Sequence, residues 1–271
     1  DLGKFGSIEN GQLTSNATLT LTGNDVGNRL SGNGHGSRLV GLGGDDVYVI
    51  NGPDAVIEEI GGGYDTIQTS LSVLQLAVNV EAVVSMGSGL QLTGNGLNNE
   101  LRGDAGDNVM YGLAGDDLLH AGMGNDTLSG GRGNDLLYGG GGNDTYVFNR
   151  GDGEDTIIHG LVDVTSQTGT LLFGSDVSSR QLWFSRSSDN LVVEIVGTDD
   201  RITLKNWYTT QAYRLDRILA GDGVALYEVD GLVQAMAIYR AAHPAFSPHV
   251  GFEIPDDALL RSALSAASVP P

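Results

Sequence analysis

GGRGNDLLYGGGGNDTYV, residues 130–147, is one nine-residue unit written twice. Each copy opens with a glycine-rich hexapeptide ending in Asn-Asp. Each closes with three residues whose middle member, Leu137 or Tyr146, is apolar. Working outward, the same spacing holds at Leu101, Met110, Leu119 and Leu128, behind GNGLNN, GDAGDN, GLAGDD and AGMGND. Further upstream Leu30, Leu39 and Tyr48 follow GNDVGN, GNGHGS and GLGGDD. Of the 42 glycines, 31 lie between Gly23 and Gly153, so the repeat accounts for most of them.

A period of nine fits neither a heptad nor a plain alternating strand. Six residues rich in Gly, Asn and Asp make a tight turn, because these residues tolerate positive φ. The three that follow make a short strand with one side chain pointing inward. Two such units, with a turn on each side, then close one coil. Stacked coils pair each short strand with the one in the next coil, which is a parallel β-helix.

Composition narrows the function. Asp and Glu number 34 against 14 Lys and Arg, a net charge of −20. Such a chain repels phosphate, and its only lysines are Lys4 and Lys205, so nucleic acid is excluded as a partner. There is no cysteine, hence no disulfide framework and no thiol nucleophile. The longest apolar run, Leu71 to Val84, is broken by Gln75, Asn79 and Glu81 and is too short to span a membrane. The chain opens at Asp1 with no cleavable leader, which reads as a piece of something longer. Stacking would set the sixth-position Asp of successive turns in a like-charge column, costly if left bare. A hard divalent cation between turns resolves that, and it also takes up outward-facing turn carbonyls. Ca²⁺ accepts six to eight oxygens in flexible geometry, whereas Mg²⁺ demands a strict octahedron. Zinc calls for Cys or His, and the turns hold only His35.

The units GGRGNDLLY and GGGGNDTYV resemble the RTX (repeats-in-toxin) nonapeptide G-G-x-G-x-D-x-U-x. The resemblance extends over residues 23–157. It implies an all-β, right-handed parallel β-roll holding several Ca²⁺ ions, each between two turns one coil apart. The earlier turn would give the carbonyls of positions two and four, the later turn those of positions one and three, and both their Asp carboxylates. Carried onto this chain, one ion would lie among Leu113, Gly115, Asp117, Gly130, Arg132 and Asp135. The next on that side would use Gly131, Gly133 and Asp135 with Arg150, Asp152 and Asp155 of RGDGED. The opposite side would use Gly122, Gly124 and Asp126 with Gly139, Gly141 and Asp144, and Ala121 and Met123 would offer carbonyls to the turn before. Asn99 and Asn108 replace Asp, so the first sites of the block are weaker or empty, as at Asn28 and Ser37 upstream. Asp46 and Asp65 are further candidates. The alternative for all of these aspartates is plain turn formation.

The chain divides into residues 1–60, a degenerate repeat block; 61–93, wider linking coils; 94–157, the regular array; 158–231, a β-rich cap; and 232–271, a tail. A helix through Leu71 to Val84 is the alternative within the linking coils. A solenoid exposes its core at its end. The cap would close it, with Trp183, Phe184, Trp207 and Tyr208 as plugs or, alternatively, as a ligand surface for a glycan or cell-surface partner. LVQAMAIYRAA reads as a helix, and the closing DDALLRSALSAASVPP is similar to the uncleaved signals read by the type I secretion apparatus, a frayed terminus being the alternative. His243 and His249 read as loop residues. No G-x-S-x-G, H-E-x-x-H or G-x-x-x-x-G-K-[ST] motif occurs. The expectation is a bacterial, extracellular calcium-binding appendix that folds after export, with any enzyme activity in an upstream domain.

Overall fold

The computed structural model describes residues 9–160 and 168–270. Asp1 and Lys4 lie outside them. Short strands alternate between two faces of a stacked coil. One face is a twelve-stranded sheet in which Arg29–Ser31, Val47–Ile50, Thr66–Thr69, Ala82–Ser85, Glu100–Arg102, Leu118–Met123, Leu136–Gly141 and Glu154–His159 pair in parallel, each with the next. The alternate strands form a three-stranded sheet and then an eight-stranded one. In the regular block Val109 pairs with Thr127 and Leu118 with Leu136, a step of two whole units.

The one inward residue per unit builds the core. Leu101, Leu119, Leu137 and Ile157 form a single file on one face, and Leu92, Met110, Leu128, Tyr146 and Leu171 face them from the other. All are fully buried. Each such side chain contributes roughly 1.5–3 kcal/mol of burial, which is why three residues of strand per unit suffice.

Two expectations are corrected. Residues 61–93 do not form wider coils. Val47 pairs with Thr66, Thr66 with Ala82, and Val73 with Gln91, so every step stays close to two units. Nor is Leu71 to Val84 a helix; it holds the strands Val73–Gln75 and Ala82–Ser85. The β-branched content and the ladder above and below override the helical period.

The cap extends both sheets before closing them. Thr168–Phe173 continues the second face in parallel on Asn143–Phe148. Arg201–Leu204 continues the first on Glu154–Ile157. Asn190–Ile195 and Leu182–Ser187 then add in antiparallel sense and turn the sheet back on itself. Trp183, Phe184 and Trp207 are buried, with Trp183 against Tyr239 and Phe246 at centroid distances of 6.3 and 4.6 Å. Helix α1, Asp230–Ala242, covers the edge strand Leu182–Ser187, and its Met236 Sδ accepts the Phe184 N–H. Helix α2, Ala258–Ala267, is capped by Asp257, whose carboxylate accepts the N–H groups of Leu259 and Leu260. Leu260 and Ala267 are buried, and Ala267 O accepts the Tyr227 N–H at 2.9 Å. The tail is docked, not frayed. No helix of the described residues is long and apolar enough to cross a membrane.

Candidate metal centre

The turns place their carbonyls by alternating the sign of φ. In the turn 112–117 Leu113 and Gly115 have φ of 86° and 114°; in 130–135 Gly131 and Gly133 have 100° and 146°. Alternation sends the carbonyls of positions two and four toward the following coil. A Cβ added to Gly131 would strike Leu113 O, and one added to Gly133 would strike Gly115 O. Across the molecule Gly122 O and Gly124 O press against Gly140 and Gly142 in the same way. The position-one carbonyl points backward: Gly130 O lies over Gly112, beside Asp117 Oδ2. Oxygens of adjacent turns therefore converge. The position-three carbonyls of Arg132, Gly141 and Asp152 accept the N–H groups of Gly115, Gly124 and Gly133 at 2.8–2.9 Å, which locks the spacing of the turns.

Gly140 tests this geometry directly. Its φ of 94° and its contact with Gly122 O leave no room for a side chain. Gly140→Ala is expected to lower the stability of the calcium-loaded protein by about 1–2 kcal/mol or more, measured by denaturant unfolding.

The aspartates have split roles. Oδ1 of Asp117, Asp126, Asp135, Asp144 and Asp155 accepts the backbone N–H of Asn99, Asn108, Asp117, Asp126 and Asp135 respectively, at 2.6–3.2 Å. Oδ2 of each is buried with no hydrogen-bond partner, as it is at Asp46 and Asp65. No Lys or Arg pairs with any of the seven among the described residues. Burial pushes the carboxyls of Asp126 and Asp135 up to about 6, those of Asp117 and Asp144 to about 7 and that of Asp155 to about 8. Buried anionic oxygens without donors are costly. The residues present fit a hard cation, since every converging donor is oxygen.

Turns that end in Asn are built differently. Asn99 Nδ2 donates to Val80 O and Glu81 O, and Asn108 Nδ2 donates to Gly106 O and Ala121 O. The amide thus takes up neighbouring backbone carbonyls through hydrogen bonds. The Ala121 carbonyl, expected as an ion ligand, accepts from Asn108 Nδ2 at 3.2 Å. Met123 belongs to the same Asn-facing pair of turns, where its N–H donates to Asp104 O.

Residues 93–128 and 120–157 match the family described as RTX calcium-binding nonapeptide repeat. The array is an RTX calcium-binding repeat. Residues 190–226, in the cap beyond the RTX array, match a haemolysin-type calcium binding protein related domain.

Three residues beside the RTX array escaped the sequence reading. Asp200, from the cap, accepts the N–H groups of Gly151 and Gly153 and ends the aspartate column with both oxygens paired. His159, fully buried, sits with Nδ1 3.1 Å from Tyr146 Oη and 3.7 Å from Asp144 Oδ2. Burial lowers its pKa to about 4, so it is neutral. Glu58 lies beside Asp46 and Asp65. The proposed ligand Asp152 turns its carboxylate to Asn149, leaving only its carbonyl toward the preceding turn, and Arg150 directs its guanidinium to Asp176 at 3.5 Å. Of the aromatic residues singled out in the cap, Trp183, Phe184 and Trp207 are buried, while Tyr208 is half-buried with the Arg186 guanidinium 4.2 Å from its ring centroid.

Proposed function

We propose that this chain is a calcium-dependent folding module of a secreted bacterial protein, whose RTX array is completed by Ca²⁺ outside the cell. One observation carries the reading: each Asp turn of the array holds a buried Oδ2 without a donor, with carbonyls of two coils converging beside it. The ligand sets are Leu113, Gly115, Asp117, Gly130, Arg132 and Asp135; Gly122, Gly124, Asp126, Gly139, Gly141 and Asp144; and Gly131, Gly133, Asp135, Arg150, Asp152 and Asp155. Bound there, Ca²⁺ supplies the positive charge that offsets the carboxylate column.

The chain's own residues do the rest. In a calcium-poor cytosol the carboxylates repel and oppose compaction, which suits a chain that leaves through a type I apparatus. Outside, the array closes against the cap, whose strands Thr168–Phe173 and Arg201–Leu204 continue its two sheets. In this reading the docked tail, α1 and α2, carries the export signal before folding, and any catalytic activity belongs to a larger parent protein. Calorimetric titration of the full chain tests the calcium reading. Several Ca²⁺ ions are expected to bind at roughly 10⁻⁴–10⁻³ M, and Mg²⁺ more weakly. Equal affinity for Mg²⁺, or no uptake, would refute it.

A further inference from the structure

One turn edge of the solenoid carries a large aliphatic side chain at its surface in every coil from residue 23 to residue 117. The turns 23–28, 41–46, 58–65, 76–81, 94–99 and 112–117 read GNDVGN, GLGGDD, EEIGGGYD, LAVNVE, GNGLNN and GLAGDD. They stack in that order. A Cβ on Gly44 would strike Val26, and Gly44 N–H donates to Gly62 O. Asn79 Nδ2 donates to Glu58 O, Asn95 Nδ2 to Ala77 O and Asp116 N–H to Asn98 Oδ1. The large aliphatic residues at the surface of these turns are Val26, Leu42, Ile60, Val78, Leu97 and Leu113. Ile60 and Val78 are 92% and 75% exposed, Val26, Leu97 and Leu113 are 38–49% exposed, and Leu42 is half-buried.

Nothing in the repeat requires this ridge. Turn tips are ordinarily Gly, Asn and Asp, and the turn 139–144, GGGGND, has no other residue. On the opposite edge Leu19, Met86 and Met123 are exposed, but in coils that are not adjacent. Leucine at positive φ is strained. Leu42 and Leu113 adopt it, at 83° and 86°, and the Leu113 side chain stays half-exposed, so little packing offsets the strain. Carboxylates flank the ridge. Asp25, Asp45, Glu59 and Asp116 are exposed and Glu81 is half-buried in the same six turns, which hold no Lys or Arg. A complementary partner therefore presents an apolar stripe with cationic borders.

Spacing selects the form of that partner. Successive coils lie about 4.8 Å apart, so the ridge is about 24 Å long. A helix repeats its apolar stripe every turn, about 5.4 Å, and drifts from the ridge by about 3 Å over that length. An extended strand repeats every second residue, about 6.7 Å, and drifts by about 10 Å. The helix stays within side-chain reach and the strand does not. We propose that this turn edge is a docking surface for a cationic amphipathic helix of a partner protein, laid along the solenoid axis with its apolar stripe on Ile60, Val78 and Leu97. These three residues belong to none of the calcium ligand sets, so the surface can be altered without touching the array.

The probe is a Leu–Lys peptide of about 18 residues, roughly 27 Å as a helix, with its leucines on one helical face. It is titrated by fluorescence anisotropy against the full chain in millimolar calcium. Ile60→Ser combined with Val78→Ser and Leu97→Ser keeps every charge, and it is expected to weaken binding by about tenfold or more. These side chains are exposed, so the strand dichroism of the triple variant should match the parent's. Ile60→Ser alone, at the most exposed position, should weaken binding by about threefold or more and carries the test if the triple variant loses strand signal. A shuffled peptide of the same composition should bind the parent as weakly as the helical peptide binds the triple variant. Equal binding to parent and variants, or equal binding of the helical and shuffled peptides, overturns the proposal, since charge alone then draws the probe to the chain. No binding to the parent overturns it too. Uptake of the parent onto phosphatidylcholine vesicles, lost in the triple variant, assigns the ridge to a lipid surface, and a dimer lost in the triple variant assigns it to a second copy; either result also overturns it.

Discussion

Removing calcium is expected to unfold the array. In excess chelator at pH 7.5 the far-ultraviolet circular dichroism of strands should be largely lost, and millimolar Ca²⁺ should restore it. Each site filled at tenfold over its dissociation constant stabilises by about 1.4 kcal/mol. Three array sites together supply about 4 kcal/mol, a large share of the roughly 5–15 kcal/mol by which domains are stable. The loss is amplified because Asp117, Asp126, Asp135, Asp144 and Asp155, whose Oδ2 atoms have no partner, must then carry either an uncompensated charge or a proton in the interior. Full strand signal in chelator would refute the dependence. A pH effect follows with a fixed sign. Burial holds these carboxyls at about 6–8 in the folded protein, above their ordinary 3.8. A folded state with raised acid pKa values binds more protons than the unfolded chain, so its stability falls as pH rises from about 4 to about 8. In chelator the protein should be more folded at pH 5 than at pH 8. With calcium present the order reverses, because proton and ion compete: the calcium midpoint should fall as pH rises, read by the same dichroism.

Asp126→Asn combined with Asp135→Asn is expected to cross over in stability with the parent. Asp126 belongs to one of the three ligand sets and Asp135 to the other two, so the double variant should lose up to three ions. In saturating calcium it should unfold at lower denaturant. In chelator at pH 7.5, where the parent's array is unfolded, it should keep more strand signal than the parent. The reason is already built into the chain. Asn99 and Asn108 occupy the same turn position, keep the oxygen as acceptor and direct the amide into neighbouring carbonyls. An amide that satisfies itself costs far less than an unpaired buried carboxylate. A denaturant titration in calcium and circular dichroism in chelator check the two arms. A variant that is less stable than the parent in chelator as well would show that Oδ2 has a protein partner after all.

The nine-residue period made the array legible, because one apolar residue per unit and one Asp per turn repeat without a slip from Leu101 to Tyr146. The strands of the cap were legible too, from TLLFG to GVALY. What stayed hidden depends on distance along the chain. Asp200 reaches the turn of Gly151 and Gly153 only after the antiparallel strands have folded back, so nothing local marks it. Glu58 lies in a turn two residues too long to align with the hexapeptides, and its inward direction comes from the pairing of Val40 with Ile57. The shortened step from Thr66 to Ala82 likewise shows only in the ladder. The docking of α2 was ambiguous because its apolar residues also suit an export signal; Leu260 and Ala267 show which face was reserved for packing.

The repeat has a consequence for how such chains change size. Asp54, inside the N-terminal block, accepts from Gly34 and Ser37, and Asp200, at the cap end, accepts from Gly151 and Gly153, so each satisfies its turn with hydrogen bonds alone. Within the regular array a step of one full coil carries each strand pairing onto an equivalent one, as Val109 with Thr127 and Thr127 with Thr145. Excising residues 112–129 would join Tyr111 to Gly130 and restore the same junction one storey shorter. The height of the column is thus uncoupled from its terminals, and gene-level gain or loss of whole storeys changes how many ions the protein stores without asking the cap to adapt.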